Sequence, residues 1–215
     1  MSKYAKLTIG LLCTWFVFSL GASALHVYKA AHNAPPLPLG LAALTPILLF
    51  LAWFISSAGF RQFALSLSPR ILTLAQSWRI EGFVFLVLAA YGILPRMFAL
   101  SAGWGDIAIG ATAPFVALAL AVPGHRKSFI FWQILGIVDL VNAVTLGTLA
   151  TVLNPHGIGS DAMTVLPMSL IPTFAVPLFL ILHIICIAQA RRWPASANSP
   201  SRELWTGPTA NERAS

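Results

Sequence analysis

FIFWQILGIVDLVNAVTLGTLATV, residues 129–152, is the stretch whose reading decides the fold. A helix needs about 20 mostly apolar residues to cross a bilayer, and this run is long enough. It lacks the strict alternation of apolar and polar side chains that a barrel wall requires, so it reads as a helix. Near its middle stand Asp139 and Asn142, one helical turn apart. Five other runs of similar character flank it, near residues 7–25, 39–60, 71–94, 105–122 and 166–190. Together the six nearly exhaust the 215 residues and leave no room for a folded water-soluble domain. Composition agrees: 58% of the chain is hydrophobic and 9% charged, against about 25% charged in an ordinary soluble domain. The expected architecture is therefore an all-α, polytopic transmembrane bundle of six spans in one domain, residues 1–190. A polar, proline-punctuated tail, residues 191–215, is expected to be disordered.

The net charge of +7 matters less than where the basic residues fall. With the N-terminus inside, one side of the membrane receives Lys3, Lys6, Arg61, Arg70, Arg79, Arg126, Lys127, Arg191, Arg192, Arg202 and Arg213, and the other keeps Lys29 and Arg96. Eleven against two is a positive-inside pattern and places both termini in the cytoplasm. The basic charge is thus a topology signal, with the lipid bilayer as the expected partner and no nucleic acid. Lys3, Lys6, the apolar LTIGLLCTWFVFSL and Ala22-Ser23-Ala24 also fit a signal peptide with its cleavage site. Residues 7–25 are long enough to span, and retention is the reading adopted. Cys13 and Cys186, far apart and inside apolar runs, read as packing residues rather than a disulfide or metal pair.

A charge at the centre of a span costs about 2.5–3.5 kcal/mol on insertion scales, so each one needs a partner, an escape route or a task. Asp139 lies about 9–15 Å inside its span by helical rise, beyond the reach of a short carboxylate to the headgroups. Counted back from Leu94, Arg79 falls about 6 Å inside the inner boundary and can snorkel. Gln76 shares its face and Glu81 points away. His183 lies about 10 Å from the inner end of the last span. Asp139, Arg79 and His183, with Gln76, Gln133 and Asn142, are therefore expected to gather as a buried polar cluster. Gly136, Ala143, Gly147 and Ala150 fall on the Asp139 face and let a neighbouring helix approach. Two readings follow: an Asp139–Arg79 ion pair that sets helix register, or a titrating carboxylate on a proton or substrate path. Pro69 fits the first turn of its helix, and Pro167, Pro172 and Pro177 are expected to bend or locally open the last span.

Gly103-Trp104-Gly105-Asp106 reads as a glycine-rich outer turn in which Asp106 caps the N-terminus of span four, with Trp104 at the outer boundary. The same four residues resemble the GxGD signature of intramembrane aspartyl proteases, with Asp139 as the second carboxylate of a proton-sharing pair. Chain order is reversed relative to those enzymes, their Pro-Ala-Leu element is absent, and Asp106 is expected at a different depth from Asp139, so the N-cap reading is preferred. Gln76-x-x-Arg79, Leu94-Pro95, Phe98, Ala102-Gly103-Trp104-Gly105-Asp106 and Ala113-Pro114 resemble a group of small multi-pass bacterial inner-membrane proteins without an assigned activity. That resemblance covers mainly spans three and four and implies an inner-membrane location without a substrate. His26, His32, His156, Asp106 and Asp161 all fall on the outer side but show no ligand spacing such as HxxxH, so no metal and no cofactor is expected. No catalytic residue set emerges. The expected function is a non-catalytic accessory or assembly role, in contact with other membrane subunits or a second copy; the alternative is a small solute or proton-coupled transporter using Asp139.

Overall fold

The computed structural model describes residues 2–29, 37–153 and 158–194, and within them the protein is all-α. In chain order the helices are α1 (Lys3–Ala24), α2 (Leu37–Ser56), the short α3 (Ala58–Ser66), α4 (Pro69–Ala90), α5 (Arg96–Leu120), α6 (Pro123–Leu153) and α7 (Ile171–Ala190). All except α3 are long and apolar enough to cross a membrane. The disorder expected of the tail concerns residues that, from 195 onward, lie outside the described ones, as do His32 and His156.

Local chemistry sets the boundaries. The Ser57 and Ser68 hydroxyls accept from the backbone N–H groups of Phe60 and Ile71, capping α3 and α4, and Pro69 occupies the first turn of α4 as expected. The Gln189 side-chain amide donates to the Leu67 carbonyl at 2.7 Å, tying the end of α7 to the α3–α4 turn.

Helix α4 departs from ordinary α winding. Residues Ala75–Gly82 form a 3₁₀ segment of eight residues, well beyond the three or four usual for that conformation. With three residues per turn, Gln76, Arg79 and Gly82 stack on one edge, and these are the buried residues of the segment. Because α4 ends at Ala90 rather than Leu94, Arg79 stands midway along its span. It is 1% exposed and does not snorkel. Arg79 therefore leaves the positive-inside tally, which falls from eleven to ten expected residues.

Span four begins earlier than the glycine-rich motif suggested. Pro95 is the N-cap of α5 and the helix runs from Arg96, so Asp106 is an interior residue and caps nothing. Trp104 is exposed midway along the same helix instead of marking its end. The physical reason is that glycine in a membrane helix often serves packing rather than turning. Helix α5 buries Ala99, Ala102, Gly103, Gly110 and Ala113 along one stripe, and α4 lies against it. A β-carbon added at Gly110 would stand 2.5 Å from the Ile80 backbone nitrogen, and one at Gly103 would meet the Gly82 carbonyl oxygen at 2.9 Å.

The expected opening of the last span is present at its start. Residues Ile171–Ala175 take a wide π-type turn. Pro177 has no N–H to offer the Thr173 carbonyl one turn earlier. That carbonyl accepts instead from Trp15 Nε1 at 3.0 Å and Ser19 Oγ at 3.4 Å, which docks α1. Ser169 Oγ donates to Ser23 Oγ at 2.8 Å and adds a second tie.

Two apolar clusters bracket the middle of the bundle. One gathers Leu72, Ile109, Ala113, Phe129, Trp132 and Ile185. The other gathers Phe85, Ala89, Leu94, Phe98, Ala102 and Met163. Arg79 and Asp106 fall in register between them and, with His183, form a polar layer.

Candidate functional site

The layer is organised by one guanidinium. Arg79, on the 3₁₀ edge of α4, donates through Nε to Asp106 Oδ1 of α5 at 2.7 Å and through Nη2 to Asp139 Oδ2 of α6. Its Nη1 donates to the Gly136 carbonyl of α6 at 3.3 Å and approaches His183 Nε2 of α7 at 3.4 Å. One side chain thus holds all three other helices of the core. Such charge-assisted bonds are roughly twice as strong as neutral ones, and the low dielectric of the site strengthens them further.

Two glycines make the approach possible. A β-carbon at Gly105 would overlap the Asp139 carboxylate, and one at Gly136 would overlap the His183 ring. The GWGD stretch is thereby accounted for: Gly103 admits α4, Gly105 admits Asp139, and Asp106 accepts from Arg79.

A hydrogen-bonded chain leads away from the guanidinium. Gln133 Nε2 donates to Thr73 Oγ1 at 3.1 Å, which turns its Oε1 toward His183 Nδ1 at 2.5 Å. The imidazole Nδ1 is then the donor, and Nε2 is left to accept from Arg79: a neutral ring in one tautomer. Thr73 Oγ1, already accepting from Gln133, also lies 3.9 Å from Cys186 Sγ, a contact in which either group can donate. Each member of this chain fixes the orientation of the next.

Of the residues expected to cluster, Arg79, Asp139, His183 and Gln133 form one connected network. Gln76 lies on the same edge of α4 but donates to the Phe179 carbonyl at 3.2 Å. Asn142 belongs to a separate contact, donating to Ser101 Oγ on α5 at 2.8 Å. Asp106 and Thr73 were not expected in the network. The small-residue stripe of α5, in which Asp106 sits between Gly103 and Gly110, was the signal that would have placed it there.

Asp106 and Asp139 do not stand at the different depths expected of them, because they share one arginine. What sets the site apart from an aspartyl dyad is that arginine: a dyad works by sharing a proton between its carboxylates, whereas here Arg79 binds an oxygen of each. Asp106 is also removed from any outer metal site with His26. Among the described residues no group of three or more His, Cys, Asp or Glu is placed to hold a metal ion.

These features define a multi-pass helical membrane protein with a buried polar layer built on an arginine. Residues 34–191 match the family described as Domain of unknown function (DUF8737), and the chain belongs to that family. The matched region holds every residue of the polar layer and begins after α1. No curated protein and no solved structure matches the chain.

Proposed function

We propose that this chain is a non-catalytic membrane protein, an accessory or assembly component of a bacterial inner membrane with both termini on the cytoplasmic side, whose Arg79 layer fixes the packing of α4 to α7. The observation that carries this reading is the single guanidinium that donates to α5 and α6 and also reaches His183 of α7. A guanidinium whose three nitrogens are all engaged favours a fixed role over a moving one. A buried ion cluster adds modest net stability, yet removing its central partner leaves the others uncompensated. In this reading α1 stays in the mature protein, held through the Thr173 carbonyl, and an intact mass matching 23.1 kDa checks that point.

The test has a structural arm and a functional arm. Arg79→Gln is expected to lower the detergent melting temperature more than Asp106→Asn or Asp139→Asn, because each Asn variant still leaves Arg79 one carboxylate. Combining all three substitutions should recover part of the loss. In the functional arm, mild-detergent purification should recover the chain in a stoichiometric complex with another membrane subunit or a second copy. Strict monomers that support a pH-dependent flux in liposomes, abolished by a well-folded Asp139→Asn, would overturn the proposal and favour a proton-coupled carrier. That second reading draws on the surplus of one carboxylate over the one arginine in the layer.

A further inference from the structure

The charges of the polar layer do not balance. Arg79 brings one positive charge and Asp106 and Asp139 bring two negative ones, with the half-buried Glu81 of α4 near enough to Asp106 to add to the negative side, while His183 is neutral by its hydrogen bonds. Each carboxylate gives Arg79 one oxygen, and among the described residues neither second oxygen accepts a hydrogen bond. An uncompensated charge in a low-dielectric interior is expensive, and a further positive charge beside these partly accessible carboxylates would lower that cost.

The structure also shows where that cation would enter. A cavity of about 350 Å³ opens beside the layer between α2 and the core helices. Its wall includes Leu41 of α2, Phe85 of α4, Phe98 of α5, Ala143 of α6 and Val176 of α7. Asp106 is the one charged residue among its described lining. The volume is in the range of small-molecule sites, about 300–1,000 Å³, and an apolar chamber with a few placed polar groups, here Asp106, Thr148 and Ser160, is their usual form. A proton alone would balance the charge without needing the space. A divalent ion such as calcium, which takes about six to eight oxygens, would overshoot the charge and find too few ligands.

We propose that this cavity binds an amphiphilic organic amine, with the protonated amine on the second oxygen of Asp106 and the apolar body along Leu41, Phe85 and Phe98. The ammonium supplies the missing positive charge and donors for the unused oxygen. The apolar wall recovers the surface that the body loses from lipid or water. When the site is empty, a proton takes the place of the amine.

The full chain in phosphatidylcholine nanodiscs tests this by equilibrium binding of decylamine, decanol and decanoate, three probes with one chain length and three head charges. Decylamine is expected to bind at least tenfold more tightly than decanol, and decanoate more weakly than both. Asp106→Asn should remove the preference of amine over alcohol. Ala143→Leu, which narrows the cavity and leaves the polar layer intact, should weaken decylamine at least tenfold, and it decides the matter if Asp106→Asn does not fold. Equal binding of amine and alcohol, or decylamine binding unchanged in Ala143→Leu, overturns the proposal. Adding phosphatidylethanolamine to the nanodiscs separates sources. Displacement of decylamine identifies a lipid headgroup amine as the occupant, and retention identifies a free amphiphile; either agrees with an amine site.

Discussion

Helices α1 and α2 and helices α4 to α7 overlap in mean hydropathy, 1.7 and 2.1 against 1.4 to 2.4, and are held in place by different forces. In α1 and α2, 17% and 6% of the most apolar window is buried within the protein, against 28–39% in the other four spans, so most of the outer pair faces lipid. Between lipid and an apolar helix there is little hydrophobic gain from association, and packing and hydrogen bonds must do the holding. The core helices have both: glycines that bring backbones together and a guanidinium shared among four helices. Helix α1 has a smaller version of the same device, two donors on a carbonyl that Pro177 leaves without a partner. The DUF8737 match follows this division in part, since it includes α2 and the core and omits α1.

This contrast can be broken most sharply at its centre. Arg79→Gln strands two carboxylates and is expected to cost about 3–5 kcal/mol, read as a large fall in detergent melting temperature or failure to recover folded protein. Gly110→Ala comes next. Its new methyl group would press on the α4 backbone, and overpacking of this kind costs about 1–3 kcal/mol, measurable by the same melt. Trp15→Phe removes one donor from the Thr173 carbonyl and is expected to cost about 0.5–1.5 kcal/mol. Its signature is local: a cysteine placed on the buried face of α1, at Ala22, should label faster while the core melt hardly moves. The smallest effect belongs to Gly10→Ala, Gly21→Ala and Gly40→Ala, where an added β-carbon meets nothing within 4 Å. Each should stay within about 0.5 kcal/mol of the parent. A loss at Gly40 as large as at Gly110 would mean that α2 is packed as tightly as the core, and the division between the two regions would fail.

Much of this protein was legible from residue order. Segment length and composition give six spans, and hydrocarbon as solvent makes Arg79, Asp139 and His183 residues in need of partners. The small side chains around Asp139 turned it toward protein, and Gly136 does admit His183. Asp106 was misplaced because GWG was read as a turn, whereas Pro95 had already started the helix and the glycines serve close packing. Arg79 was placed too shallow because the end of α4 was set by hydropathy at Leu94, past the turn that follows Ala90. Gln76 and Asn142 have the right depth, yet their bonds go to Phe179 and Ser101, a choice that depends on side-chain direction across helices.

By itself the sequence determined the class of fold, the number of spans and the existence of intramembrane charges, because these follow from local composition measured against the thickness and polarity of a bilayer. The tertiary structure alone decided that one arginine serves two carboxylates and that a cavity opens beside one of them. That arrangement rests on how closely helices far apart in the chain approach one another, and the approach is set by glycine contacts and by the 3₁₀ winding of α4, neither of which is a property of any one segment.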